Sequence, residues 1–317
     1  MKDLVNGVSI VMCCYNSATR LPETLKHIFN LRGDLSHIEL IIVNNASTDN
    51  THEVVAQELN RYDKKIEFKL LKEDRSGLSN ARFKGVKNAK HNWVLFCDDD
   101  NWLEKNYIIN FRKNLEHYPN LGILGCGISE AVYEKKPDSW FENYKQLCAI
   151  FDIKNVGHEQ IITKNLNEIC YVFGAGMFAR RDFILHYFED ENFKLLDRTG
   201  RTLTSGGDTD MICFLLKNNH SVGMFSNLKI KHYIPRNRIK RNYILRLISA
   251  MSLSNTLIRF KYYDELKKPF PTKFIINTIN NLVHLNVFIF AYNFSILLGN
   301  YKAYKLLKKT SGNYLLR

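Results

Sequence analysis

The chain has 317 residues, 45% of them hydrophobic and 24% charged, with a formal net charge of +13. Such a composition supplies a full hydrophobic core for one large domain or two ordinary ones, and it excludes a disordered chain, a collagen-like fibre and a small disulfide scaffold. The seven cysteines (Cys13, Cys14, Cys97, Cys126, Cys148, Cys170 and Cys213) lie mostly in apolar runs without a Cys-x-x-Cys pair. They read as reduced, buried thiols of a cytosolic protein rather than as zinc ligands or bridges.

Val8–Cys14 is a continuous apolar run ending at Tyr15-Asn16-Ser17, the pattern of a buried strand followed by a turn. Pro22 opens a helix through about Asn30, with Leu21, Leu25, Ile28 and Phe29 on one face. Glu39–Val43 is a second strand, closed by Asn44-Asn45-Ala46-Ser47-Thr48-Asp49; Thr48 or Asp49 can cap the helix over Thr51–Asn60. Ile66–Leu71 is a third strand, Leu78–Ala89 a third helix, and Trp93–Cys97 a fourth strand that runs into Asp98, Asp99 and Asp100. This alternation predicts βαβ units, an α/β fold with a Rossmann-like, mostly parallel sheet flanked by helices.

Ligands of such sheets bind at the carboxyl ends of the strands. Here those loops are Tyr15–Thr19, Asn44–Asp49, Glu73–Ser79 and Asp98–Asn101, and none carries a G-x-G-x-x-G or Walker pattern. Further on, Leu121–Cys126 reads as a strand, Trp140–Ile150 as an aromatic, helical stretch, and Tyr171–Ala179 as a strand interrupted by Gly174-Ala175-Gly176. Thr209–Asn218 is a helix and Val222–Phe225 a short strand.

After Pro235 the chain becomes helical and basic, which divides it into residues 1–235 and a C-terminal extension, 236–317. From Lys229 to Arg317 there are 17 Lys and Arg against two acids, whereas the preceding part has 28 basic and 30 acidic residues. The basic residues alternate with Leu, Ile, Phe and Tyr, a pattern that suits either the interface of an anionic bilayer or a solvated helical face. No nucleic-acid motif accompanies them. Met1–Asn6 does not resemble a secretory leader. The stretch nearest to a membrane span, Phe274–Asn300, is broken by Asn277, Asn280, Asn281, His284, Asn286 and Asn293, so no crossing is expected.

Three adjacent carboxylates after a buried strand repel one another, and each favours a nearby cation. A hard divalent ion answers that need and keeps positions open for diphosphate oxygens. The alternative is an acidic cluster that complements a helix dipole.

The blocks Val8–Asn16, Glu39–Asp49, Gly77–Arg82 with Gly85, and Trp93–Asp100 follow in the order and spacing of family 2 glycosyltransferases, which this chain resembles over residues 7–235. The resemblance implies the GT-A fold, an inverting transfer from a nucleoside-diphosphate sugar, and an Asp-x-Asp type metal motif. Tyr15, Asn45, Arg75, Asp98 and Asp99 would then bind the donor, a UDP-sugar first. Asn45 stands where the family has a base-reading aspartate, and it also suits a turn asparagine bonded to its own backbone. Arg75 corresponds to a basic residue near the base or phosphates, or else is solvated.

Asp100 would hold the metal, Mn2+ or Mg2+, with His232 as a second ligand; imidazole suits Mn2+ better, and a structural histidine is the alternative. Arg236 and Arg238 follow His232 and are expected to close over the diphosphate or to face the membrane. Val172–Arg181 looks like the family's acceptor-side segment. Ser205-Gly-Gly-Asp-Thr-Asp210 resembles the family's Glu-Asp pair, with Gly207 in the first position and Asp208 as the general base. Asp208 also suits a helix N-cap, which leaves Asp210 as the alternative base on the acceptor side. Trp140 suits an acceptor floor or ordinary core packing.

These expectations describe a metal-dependent glycosyltransferase of the surface-polysaccharide type, acting on a glycan or lipid-linked acceptor at the cytoplasmic face of the membrane. Two other readings are a non-catalytic nucleotide-sugar-binding protein and a sugar nucleotidyltransferase. The latter needs a glycine-rich phosphate loop near the N-terminus, and Val8–Arg20 has no glycine.

Overall fold

The computed structural model describes residues 7–62, 66–166, 168, 172–190, 203–263 and 287–314. Its first four strands follow the sequence closely: β1 Val8–Cys14, β2 Ile38–Asn45, β3 Glu67–Glu73 and β4 Trp93–Phe96. They alternate with α1 Leu21–Phe29, α2 Thr51–Leu59 and α3 Leu78–Asn88. All pairings among these strands are parallel, in the order β3-β2-β1-β4. Parallel strands covered on both faces need apolar residues at every position, which is why β1 and β2 read as unbroken runs.

The two faces sort by strand alternation. Val8, Ile10 and Met12 pack with Leu21, Leu25 and Ile28 of α1 on one face. Val11, Ile41, Val43, Val94 and Phe96 pack with Ala81 and Val86 of α3 on the other. Gly85 lets α3 lie directly on β1, because a Cβ at that position would collide with the Val11 side chain.

The remaining strands are β5 Asn101–Leu103, β6 Leu121–Tyr133, β7 Phe151–Asp152, β8 Gln160–Thr163, β9 Met177–Arg180 and β10 Ser221–Ile234. The main path of the sheet runs β3-β2-β1-β4-β9-β6-β10-β5. β9 inserts antiparallel between β4 and β6, while the long β6–β10 ladder is parallel. The strand expected at Val222–Phe225 therefore extends to Ile234, and the one expected at Leu121–Cys126 extends to Tyr133. The strand expected over Tyr171–Ala179 is confined to β9; Gly174–Gly176 forms a turn before it, and Tyr171 lies outside the described residues.

The other helices are α4 Tyr107–His117, α5 Arg181–Glu189, α6 Gly207–Lys217, α7 Arg241–Tyr263 and α8 Val287–Tyr314. The aromatic stretch expected to be helical is a 3₁₀ segment, Ser139–Cys148. α7 packs on the α/β body, where Ile244 and Leu247 meet Phe141, Cys148, Ile150 and Ile234. α8 packs on α7 through Leu257, Ala303 and Leu307. Cys14, Cys97, Cys126 and Cys213 are buried thiols, as expected, and burial pushes Cys126 and Cys213 up to about 12. Cys170 lies outside the described residues. No helix among the described residues is long and apolar enough to cross a membrane; residues 274–286 of the candidate span lie outside them, and 287–300 open α8.

Candidate active site

The carboxyl ends of β1, β2 and β4 converge, and their loops are tied together before any ligand is considered. Asn16 adopts φ 49°, a left-handed conformation that asparagine tolerates. Its Oδ1 accepts from the Thr48 N–H at 2.8 Å, and its own N–H donates to Ser47 Oγ at 3.1 Å. Tyr15, 41% exposed, stands at the edge of this loop.

Asn45 holds the next loop. Its Nδ2 donates to the Glu73 carbonyl at 3.0 Å and to the Arg75 carbonyl at 2.7 Å, and its Oδ1 accepts from the Gly77 N–H at 2.9 Å. Both amide hydrogens are thus committed to the backbone of the loop after β3, not to the residue's own turn as expected, so Asn45 ties two loops together. The exposed Arg75 side chain pairs with Glu73, Nε to Oε1 at 3.0 Å and Nη2 to Oε2 at 3.3 Å.

The aspartate triplet sits between three arginines. Asp99 is buried; its Oδ2 accepts from Ser17 Oγ and, at 2.8 Å, from Arg20 Nη2. Thr24 Oγ1 holds the Asp99 carbonyl at 2.7 Å. Asp100 is buried too, with Oδ2 3.0 Å from Arg238 Nη1 and Oδ1 3.6 Å from His232 Nε2. Asn101, fully buried, donates from Nδ2 to Asp100 Oδ1 at 3.1 Å and accepts the Asp98 N–H at 3.2 Å, which fixes the turn. Asp98 is half-buried, with Oδ1 3.9 Å from Arg82 Nη2.

The electrostatics follow from this crowding. Burial, with Asp100, Asp208 and Asp99 adding to it, pushes Asp98 up to about 6 against the pull of Arg82. Burial and the Asp100 charge also raise Asp99, against Arg20. Burial opposes ionisation of Asp100 as well, but Arg238 and His232 outweigh it and hold its carboxyl well below the usual range.

Asp208 comes to the same place from the first turn of α6. The residue that caps this helix is Gly206, at φ 141°, so Asp208 is not the cap. Its Oδ1 instead accepts from Arg82 Nη1 at 2.5 Å and its Oδ2 from the Gly174 N–H at 2.8 Å. Gly174 leaves room for this pair: a Cβ would lie 2.5 Å from Asp208 Oδ1 and would displace the Arg82 guanidinium. Arg82 is buried, 5.0 Å over the Phe96 ring, between Asp208 and Asp98.

Two expected residues lie elsewhere. Asp210 is 1% exposed, and its carboxylate is taken up by Lys261 Nζ at 3.0 Å and Tyr187 OH at 2.7 Å. It anchors α7 and α5 to α6 and does not face the cluster as a base or acceptor ligand. Trp140 packs with Phe141, Tyr144 and Phe288, under the Arg241 guanidinium at 5.4 Å. That is the packing role; its ring is not an open acceptor floor. Arg236 is exposed and pairs with Glu134, its N–H 2.8 Å from Oε2.

A divalent cation fits this donor set. Four carboxylates (Asp98, Asp99, Asp100, Asp208) meet three guanidiniums (Arg20, Arg82, Arg238), which leaves negative charge in surplus. Asp100 and His232 offer an oxygen and an imidazole nitrogen 3.6 Å apart. His232 Nδ1 is buried without a hydrogen-bond partner among the described residues. No group of three ligating side chains exists among the described residues, so such an ion would complete its shell with ligand oxygens and water.

Arg20, Arg82, Ser17 and Asn101 were not singled out by sequence reasoning. Arg82 lies within the recognised Gly77–Arg82 block, and its helical register places it beside the buried Ala81, Gly85 and Val86. That register is the signal that was available for it.

Known proteins resemble this chain in sequence and in fold. Poly-beta-1,6-N-acetyl-D-glucosamine synthase of Staphylococcus aureus (strain COL) is 30% identical over 122 residues, 38% of this chain and 28% of that protein. Glycosyltransferase GlyA of Streptococcus pneumoniae is 30% identical over 111 residues, 35% of this chain and 15% of that protein. The chain thus matches under a third of the length of either relative. S. aureus TarS 1–349, solved in complex with UDP-GlcNAc, superposes with a TM-score of 0.53 at 14% identity, covering 93% of this chain and 91% of that one. The mannosyltransferase PcManGT of Pyrobaculum calidifontis, solved with GDP-Man and Mn2+, superposes with a TM-score of 0.57 at 16% identity, covering 97% and 80%. These superpositions establish the GT-A glycosyltransferase fold. Residues 9–188, more than half of the chain and including Arg82 and the aspartate triplet, match the family described as Glycosyl transferase family 2. The chain belongs to glycosyl transferase family 2.

Proposed function

We propose that the protein moves a sugar from a nucleoside-diphosphate sugar, a UDP-sugar first, to a hydroxyl of a glycan or lipid-linked saccharide, with inversion at the anomeric carbon. The observation that carries this reading is the meeting of Asp98 and Asp208 on one buried side chain, Arg82. It brings a carboxylate from the end of β4 and one from α6 to the same edge of the sheet.

In this reading Asp98 and Asp99 bind the donor, together with the loop that carries Tyr15. Asp208 is 31% exposed in its side chain and accessible to an acceptor hydroxyl. It takes the hydroxyl proton as that oxygen attacks the anomeric carbon and the diphosphate departs. Arg82 and the Gly174 N–H hold the two carboxylate oxygens and set its orientation. With Asp208 as the base, and Asp98, Asp99 and Asp100 given to donor and metal, the displacement is single and inverts the centre. Mn2+ or Mg2+ on Asp100 and His232 would supply positive charge to the leaving diphosphate.

We assign residues 1–235 to the catalytic body and 236–317 to a basic helical extension at the inner face of the cytoplasmic membrane. Exposed Phe294 and Leu298, followed by Lys302, Lys305 and Lys308 along α8, support contact with an anionic surface.

Calorimetric titration with UDP-, GDP- and dTDP-sugars, with and without Mn2+, tests the donor assignment. Metal-dependent binding of at least one, lost in Asp100→Asn with the fold retained, is expected. Absence of binding by all of them overturns it.

A further inference from the structure

Residues 235–240 form the turn between β10 and α7, closed by the Arg238 N–H on the Pro235 carbonyl at 2.9 Å. From this turn the Arg238 side chain folds back into the cluster. Its Nη1 lies 3.0 Å from Asp100 Oδ2 and 3.4 Å from His232 Nε2. The two groups assigned to the cation therefore share one guanidinium nitrogen. Both are closed off by their surroundings, with side chains 5% and 9% exposed.

A guanidinium and a divalent ion on the same buried carboxylate repel strongly, because little solvent screens them. Occupation by one lowers the affinity of the other. A guanidinium keeps its proton in proteins whatever its surroundings. The arginine thus leaves Asp100 as a cation or not at all, and it needs an anion to go to. A diphosphate is such an anion, with oxygens that match the planar fork of a guanidinium.

We infer that Arg238 is a resident cation that is exchanged during donor binding. It neutralises Asp100 while the cluster is empty of donor, yields that carboxylate and His232 to the metal, and moves onto the arriving diphosphate. This inference rests on the nucleotide-sugar reading above and adds a coupling to it: metal and diphosphate each remove the obstacle to the other.

The coupling gives Arg238 a signature that a structural residue lacks. Removing its charge should strengthen Mn2+ binding to the donor-free protein and weaken diphosphate binding to the Mn2+-loaded protein. A hydrogen-bonded charge contact of this type corresponds to about tenfold in each constant, in opposite directions. Arg238→Lys keeps the charge and should leave Mn2+ affinity near that of the native chain.

The test uses the full chain and follows free Mn2+ by electron paramagnetic resonance, then UDP and GDP binding at saturating Mn2+ by calorimetry. Arg238→Gln is compared with Arg238→Lys and the native protein, and thermal melts confirm folding. Tighter Mn2+ with weaker diphosphate in Arg238→Gln supports the exchange. Should that variant fail to fold, Arg238→Ala is compared with Arg238→Lys, and tighter Mn2+ in the alanine variant is expected. Equal Mn2+ affinity, or parallel losses of both ligands, overturns the exchange alone. Failure of the native chain to bind Mn2+ with or without either diphosphate overturns the metal reading on which it rests.

Discussion

Arg82 Nη1 lies 2.5 Å from Asp208 Oδ1, joining residues 126 positions apart in the chain. The contact links the donor half of the sheet to α6, since the same guanidinium faces Asp98 at 3.9 Å. Arg82→Lys replaces a planar fork by a point charge that cannot serve both carboxylates in this geometry. Turnover should fall by about 10–100-fold with a smaller change in donor KM, as for a lost positioning contact. Steady-state kinetics with donor and acceptor varied separately reads the split, and equal changes in both parameters would count against a positioning role.

Asp208 and Asp210 should separate cleanly. Asp208→Asn removes the proposed base and should lower turnover by about 10²–10⁴-fold while donor binding persists. Asp210→Asn leaves Lys261 without its buried carboxylate and should destabilise the fold by about 3 kcal/mol. Chemical denaturation and single-turnover kinetics on both variants check the assignment, and normal turnover in Asp208→Asn would exclude it as the base.

A pH effect follows from Asp98. Its folded value of about 6 lies above its ordinary 3.8, so between these limits the folded chain holds a proton that the unfolded chain has released. Stability therefore falls as pH rises through that window. Asp98→Asn, which does not titrate, should match the native chain below the window and melt at a higher temperature above it. Thermal melts across the window test this, and a gain that does not change with pH would show that Asp98 is not the titrating group.

Membrane contact is testable without deleting the extension, because α7 is pinned to the body through Lys261 and Asp210. Replacing Lys302, Lys305 and Lys308 by Glu should abolish co-sedimentation with vesicles rich in anionic lipid while leaving the melting temperature near native. Retained binding by this variant would remove α8 as the contact.

β1, β2 and β4 are legible as largely apolar runs broken by polar turns, since their burial on both faces leaves no alternation to interpret, whereas the edge strand β3 is only partly buried and carries Glu67, Lys69, Lys72 and Glu73. The far end of β10 is legible in another way. Leu228, Ile230, His232 and Ile234 alternate with exposed or partly exposed residues, the mark of a half-buried strand, although lysines between them make the segment look like a loop. α4 shows Tyr107, Ile108, Phe111 and Leu115 at helical spacing. The site divides by range of interaction. Asp98–Asp100 and His232 announce themselves by type and place. Asp208 is set above Asp210 only by the family pattern, and the contacts that separate them, with Arg82 and with Lys261, form on folding. The Asn45 and Trp140 contacts are likewise set by residues distant in sequence, beyond the reach of local pattern.

Gly85 has a consequence of another kind. It lies one helical turn beyond Arg82, and its missing side chain sets the height of that helix above Val11. A methyl group there would lift the whole segment, carrying the guanidinium away from both aspartates. Loss-of-function alleles at this position would then mimic those of the acids themselves, an inherited defect in chemistry caused by a residue that has none.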